Sequence, residues 1–287
     1  MEALTTREGR RLAYRRSGSG SPLVCHGGGP GFSARYLGDL GGLDEHVELV
    51  LLDPRGTGGS ERPADPRAYA IDDYVDDVEE LRGHLGLERI SLLGHSHGGV
   101  VVMRYAARHP GRADRLILSS TLARFAPEQA SAMEAGMAEH SAEPWYSDAA
   151  AALEAEQAVR FSSDEELGDL AIREMPFYFA SYGEREQAYV EALRAEFPNA
   201  DTLRFFNKEV FPTFDLRPDL ARITAPTLVV AGEKDFITGP VCATEIAAGI
   251  EGAELRILPG IGHFVFVEGP AAFREAVLSF LGVASHA

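Results

Sequence analysis

The chain has 287 residues, enough for one large domain or for a core domain carrying an inserted cap. Hydrophobic residues make up 45% and charged residues 25%, the balance of a globular protein with a sizeable core. The formal net charge of −17 repels nucleic acid and anionic membranes, which excludes both as main partners and leaves a small-molecule substrate, with the chain acting as a monomer or homodimer.

In chain order, the first eight residues hold no apolar h-region, and no later run approaches the length of a membrane span, so a cytoplasmic location is expected. Residues 9–16 read as a turn and a strand with Leu12 and Tyr14 on one face. Residues 22–26 form a short buried strand that runs into His26-Gly27-Gly28-Gly29-Pro30-Gly31. Cys25 in that strand and the distant Cys242 share no metal-like spacing and read as reduced and structural. Another strand, residues 47–53, ends in Asp53-Pro54-Arg55-Gly56-Thr57-Gly58-Gly59-Ser60, and residues 72–85 read as an amphipathic helix with acidic residues in its first turn. Strands follow at 90–93 and 115–119, separated by a helix that stops near His109-Pro110-Gly111.

Short apolar strands alternating with helices point to a parallel α/β sheet. From residue 122 to 221 no buried strand is visible. Ala- and Glu-rich helical segments are punctuated there by prolines and carry a cluster of aromatics, which predicts a helical cap inserted between a first core segment (1–121) and a second (222–287). The second segment resumes with strands at 227–232 and 254–258 and closes with a helix from Pro270 to Leu281.

Gly94-His95-Ser96-His97-Gly98 lies where a strand turns sharply into a helix. Gly-x-Ser-x-Gly in that context is the pattern of a nucleophile elbow, in which a strained turn lifts the serine clear of the sheet and sets it at a helix N-terminus. An elbow serine needs a base, and the base needs an orienting acid, in the order Ser, Asp or Glu, His. Asp235 leaves the strand ending near Ala231, and His263 leaves the strand ending at Leu258. Taken alone, each could be a structural loop residue. Together with Ser96, at equivalent ends of three strands, they form the catalytic candidate set. The backbone N–H groups of His97 and Gly28 are the oxyanion-hole candidates. His95 and His97 flank Ser96, but the elbow aims their side chains apart and no carboxylate cluster accompanies them, so no metal is expected.

These motifs resemble the α/β-hydrolase superfamily over nearly the whole chain. Within it, the His26–Gly31 and Asp53–Ser60 motifs are similar to those of proline iminopeptidases. The resemblance implies a mostly parallel, eight-stranded sheet flanked by helices, an inserted helical cap and a cofactor-free serine hydrolase. The chain departs from the proline iminopeptidase pattern by one extra glycine and by Pro54. In that group, glutamates in the cap and directly after the triad acid hold the substrate amine; here Phe236 follows Asp235, with Glu209 as a stand-in for the cap glutamate. His26-Gly27-Gly28-Gly29-Pro30-Gly31 also resembles the meta-cleavage C–C bond hydrolases, although His95 and Phe264 differ from their pattern. The expected activity is cleavage of a small ester, lactone or amide. The alternatives are release of N-terminal proline, C–C bond hydrolysis, and ligand binding on a non-catalytic hydrolase scaffold. Trp145, Tyr178, Phe236 and Phe264 are the candidate substrate contacts.

Overall fold

The computed structural model describes residues 1–283; residues 284–287, the end of the second core segment, lie outside the described residues. Eight strands form one sheet: β1 (Glu2–Thr5), β2 (Arg11–Ser17), β3 (Pro22–His26), β4 (Glu48–Leu52), β5 (Ile90–His95), β6 (Ala113–Ser119), β7 (Thr227–Gly232) and β8 (Glu254–Leu258). Their spatial order is β1-β2-β4-β3-β5-β6-β7-β8. The pairs β1–β2 and β2–β4 are antiparallel, and every other pair is parallel.

The central strands are apolar on both faces because both faces are covered. Val24, Val50, Leu92, Leu116, Leu118 and Val229 enter one core, while their neighbours Leu23, Leu49, Leu51, Leu93, Ile117 and Leu228 enter the other. The period-2 alternation of strand side chains thus feeds two hydrophobic layers. Helices α1 (Ile71–His84) and α2 (His97–Arg108) close the first layer through residues such as Val75, Val78, Val101 and Tyr105.

Between β6 and β7 run α3 (Pro127–Glu139), α4 (Tyr146–Gln157), α5 (Asp164–Glu174), α6 (Glu184–Leu193), α7 (Ala200–Phe205) with a π-helical turn after it (Phe206–Val210), and α8 (Arg217–Leu220). The segment leaves and rejoins the sheet region at one point: Arg124 and Asp215 form an isolated antiparallel bridge, and the Leu216 N–H donates to the Ala123 carbonyl at 2.8 Å. Leu220 on α8 already belongs to the sheet core. The chain ends with α9 (Pro240–Gly249), the short α10 (Val265–Glu268) and α11 (Pro270–Leu281). Ile246 of α9 joins the first layer, and Phe273, Val277 and Leu278 of α11 close the second. No helix among the described residues is long and apolar enough to cross a membrane.

Candidate active site

The elbow joins β5 directly to α2. Ser96 has φ 55° and ψ −125°, a left-handed conformation that a side chain rarely adopts. Three bonds fix it there. Its N–H donates to the Ser119 carbonyl at 3.0 Å, and its own carbonyl accepts from the Thr121 hydroxyl (2.7 Å) and the Gly99 N–H (2.9 Å). The turn is tight enough that a Cβ on Gly98 would collide with the His26 carbonyl and lie 2.6 Å from the Gly27 carbonyl. The glycine loop after β3 therefore lies directly against the elbow. A Cβ on Gly28 would likewise strike the Ser96 side chain.

Asp235 and His263 come from the loops after β7 and β8. The Asp235 carboxylate is fully engaged. Oδ1 accepts the N–H groups of Ile237 (3.1 Å) and Thr238 (2.9 Å), and Oδ2 accepts the Thr238 hydroxyl (2.8 Å) and faces His263 Nδ1 at 2.9 Å. Burial pushes the Asp235 carboxyl pKa up, but the facing His263 and the Thr238 bonds outweigh it, and the net shift is below the usual carboxylate value. An ionised acceptor at Nδ1 places the imidazole proton there and leaves Nε2 to accept. The His263 N–H donates to the Tyr178 carbonyl at 2.8 Å, and the Tyr178 ring stands edge-on to the imidazole with centroids 5.3 Å apart, so the inserted helical segment braces the histidine directly.

Ser96 and His263 line the same cavity, of about 640 Å³. Among the described residues no hydrogen bond of 3.5 Å or less joins the Ser96 hydroxyl to the His263 ring. Serine–histidine contacts of this type commonly tighten only when substrate binds.

Of the two oxyanion candidates, the His97 N–H carries no hydrogen bond among the described residues, whereas the Gly28 N–H donates to the Tyr36 hydroxyl at 2.6 Å. The next amide, Gly29, is unengaged among the described residues and its residue lines the cavity, so it is a further candidate donor. The Tyr36 hydroxyl in turn lies 2.7 Å from His95 Nδ1, and His95 Nε2 lies 3.2 Å from the His263 carbonyl. Because a carbonyl can only accept, His95 Nε2 carries the proton, Nδ1 accepts from Tyr36, and the Tyr36 oxygen accepts from Gly28. One buried chain thus links the glycine loop, the elbow and the histidine loop. Burial, with His263 nearby, lowers the His95 pKa to about 3, and burial lowers His97 to about 3 and His26 to about 4, so all three rings are neutral near pH 7.

The four aromatic candidates divide evenly. Tyr178 and Phe264 line the cavity, with Phe264 stacked on His95 at 5.6 Å. Phe236 does not: it is buried behind Tyr178, centroids 5.1 Å apart, and beside Phe177. Trp145 packs on His140 and Phe177 away from the lining. Glu209 is exposed, 3.5 Å from the Lys208 ammonium, and does not reach the cavity. Sequence reasoning missed Thr238, Tyr36 and two cavity carboxylates, Glu156 and Glu174. Only Thr238 left a trace, the Asp-x-x-Thr spacing in which a carboxylate takes the N–H three residues on. No group of three or more metal-ligating side chains occurs among the described residues.

A profile of the alpha/beta hydrolase fold family matches residues 21–270. Proline iminopeptidase of Saccharolobus solfataricus is 30% identical over 93% of this chain and 87% of its own length. Proline iminopeptidase PfmaB of Pestalotiopsis fici is 31% identical over 91% and 92%. Among solved structures, the enol-lactonase of Burkholderia xenovorans LB400 is 27% identical and superposes with a TM-score of 0.75, over 98% of this chain and 100% of that one. The sheet order, the matched profile and these relatives agree, and the chain belongs to the α/β-hydrolase fold family as an enzyme of proline iminopeptidase-like sequence.

Proposed function

We propose that this enzyme is a serine hydrolase that cleaves a small ester, lactone or amide through an acyl-enzyme, with residues 122–221 as the cap over its substrate. Ser96 Oγ attacks the carbonyl carbon while His263 Nε2 takes its proton. Asp235, bonded to Nδ1, holds the imidazole in the required tautomer and stabilises the imidazolium. The His97 amide, with Gly28 or Gly29, stabilises the oxyanion from the positive end of α2. His263 then protonates the leaving group, and water, activated by the same imidazole, releases the acyl group. The observation that carries this reading is the 2.9 Å Asp235–His263 pair opening onto the cavity that holds Ser96 at its strained elbow.

Release of N-terminal proline is the second reading, favoured by the two proline iminopeptidases that this chain resembles. Against it, Phe236 directly follows Asp235, where that group carries an amine-binding glutamate, and Glu209, its stand-in for the cap glutamate, is exposed and outside the cavity lining. The test is fluorophosphonate labelling with mass spectrometry, run beside a panel of acyl and prolyl chromogenic substrates. Labelling at Ser96, with turnover of acyl substrates that Ser96→Ala abolishes, is expected. An unlabelled Ser96 refutes the nucleophile, and turnover confined to the prolyl compound reverses the ranking.

A further inference from the structure

His97 brings to the cavity a polar side chain that the fold itself does not use. It is the first residue of α2, directly after the elbow serine, and its imidazole lines the cavity although the residue is only 7% exposed. Neither ring nitrogen has a hydrogen-bond partner among the described residues, and neither is sealed from the cavity, whereas the unpartnered Nε2 of His26 is sealed. Aromatic neighbours fix the ring: Phe206 stands edge-on to it at 5.1 Å between centroids and 88°, and Tyr74 edge-on at 5.6 Å and 80°. The ring is neutral near pH 7, so it offers one N–H donor and one acceptor nitrogen. Withdrawing both from water unpaired costs stability, and such groups in a native protein are few and call for a ligand or a function. Around the imidazole the wall is apolar. Phe125, Phe206, Phe211 and Phe214 are half-buried and all line the cavity, with centroids 4.9 Å apart for Phe125–Phe211, 5.9 Å for Phe206–Phe211 and 6.3 Å for Phe206–Phe214. The rings against the His263 imidazole are different ones, His95, Tyr178 and Phe264. In the proposed mechanism the leaving group takes its proton from His263 and departs on that side, which leaves the His97 side of Ser96 to the acyl group.

We propose that the His97 side chain determines specificity for an aromatic acyl group that carries an uncharged hydroxyl one or two carbons from the reacting carbonyl. The phenylalanine wall takes the aryl ring. The hydroxyl pairs with the imidazole, donating to its bare nitrogen or accepting from its N–H. The reach of the contact follows from position: the backbone N–H of the same residue is an oxyanion-hole candidate, so its side chain meets only atoms a few bonds from the carbonyl carbon. Selectivity follows from an asymmetry in cost. An analogue without the hydroxyl covers the same imidazole and leaves it unpaired, a heavier penalty than the loss of an apolar contact.

The inference deepens the serine-hydrolase reading and rests on it for the side of Ser96 that the acyl group takes, so binding and turnover are tested separately. Calorimetry on the full chain carrying Ser96→Ala compares mandelamide with phenylacetamide and 3-hydroxy-3-phenylpropanamide with 3-phenylpropanamide, pairs that differ by the hydroxyl alone. At least one hydroxy amide is expected to bind at least tenfold more tightly than its partner. Adding His97→Phe is expected to bring the two within twofold, and adding His97→Gln, which keeps a donor and an acceptor, to restore a preference of at least threefold. His97→Leu carries the same test if His97→Phe fails to fold. Kinetics with Ser96 present then compare the corresponding ethyl esters, each enantiomer separately. The quantity read is the kcat/KM ratio of hydroxy to deoxy ester, divided by the same ratio for alkaline hydrolysis. A general loss of activity in a His97 variant cancels from it. The parent ratio is expected to be at least tenfold for one hydroxy ester and to fall to within twofold of unity in His97→Phe. Absence of a hydroxyl preference in the Ser96→Ala protein, or its survival without an imidazole or carboxamide at position 97, overturns the proposal. A preference in binding with no turnover of any ester leaves the subsite standing and removes the hydrolase reading instead.

Discussion

Deleting one oxygen atom, by Tyr36→Phe, tests whether the buried chain from the glycine loop to the histidine loop organises this site. Phenylalanine fills the same space, so no cavity opens, and only two hydrogen bonds are lost: Gly28 N–H to Tyr36 Oη at 2.6 Å and Tyr36 O–H to His95 Nδ1 at 2.7 Å. Both groups left behind are buried, His95 being 1% exposed. Leaving a buried donor or acceptor unpaired costs about 1–3 kcal/mol each, so a loss of about 2–6 kcal/mol in unfolding free energy is expected. The kinetic effect follows from position. Gly28 is freed beside Ser96, and the His95 bond to the His263 carbonyl loses its counterweight. A glycine loop that no longer presents its amides at fixed positions weakens oxyanion stabilisation, and kcat is expected to fall by about 10- to 100-fold, or about 1.4–2.7 kcal/mol. KM should stay within about twofold, because no cavity contact that binds the ground state is removed. Guanidinium unfolding and steady-state hydrolysis of a 4-nitrophenyl ester measure the two effects. A variant with wild-type kcat and stability within about 0.5 kcal/mol of the parent, the range of an ordinary surface substitution, would refute the argument.

Two further predictions rest on different geometry. In Gly28→Ala the new methyl collides with the Ser96 side chain and lies 2.6 Å from the His95 carbonyl; kcat/KM and the rate of fluorophosphonate labelling are expected to fall together by about 100-fold or more. Gly83→Ala, on α1 with no atom within 4 Å of the added carbon, is the control and should leave both rates unchanged. The second concerns acid stability. His26, His95 and His97 are held neutral by burial, with pKa values of about 4, 3 and 3, against 6.5 when unfolded. Between those values the unfolded chain binds more protons than the folded one, so stability falls as pH drops below about 6.5. The raised Glu156 and Glu174 pKa values act in the opposite sense, since the folded state keeps protons there as pH rises. The three imidazoles alone take up about three protons on unfolding near pH 5, which corresponds to about 4 kcal/mol per pH unit, and the two glutamates lower that slope. Denaturant midpoints at pH 7.5, 6 and 5 measure it, and a flat profile would show that the imidazoles are not buried neutral.

What was legible in the sequence is what local chemistry dictates. The central strands announced themselves because a strand covered on both faces must be apolar at every position, as Leu92-Leu93 and Leu116-Ile117-Leu118 are. The strand Glu2–Thr5 gave no such signal: it is an edge strand with only Leu4 buried. The elbow was legible because its glycines answer to contacts within one turn. Asp235 and His263 stood out because strand ends in such a sheet deliver loops to one edge. Reasoning by adjacency failed at Phe236. The Asp235 carboxylate draws in the N–H groups of Ile237 and Thr238, and that tight turn sends the intervening side chain behind Tyr178 rather than into the cavity. Tyr36 and the cavity carboxylates Glu156 and Glu174 were invisible for a deeper reason. Tyr36 is 59 positions from His95, and its hydroxyl acquires a role only when two loops close on each other. Glu156 and Glu174, in isolation, are ordinary helix carboxylates in a chain with 44 acidic residues. That they share a cavity wall with no lysine or arginine is a property of the folded surface that no window of sequence contains. Specificity is therefore the part of such an enzyme that sequence conceals: the reacting groups obey rules of spacing and order, whereas the residues that choose the substrate obey only the shape and charge of the cavity that the fold encloses.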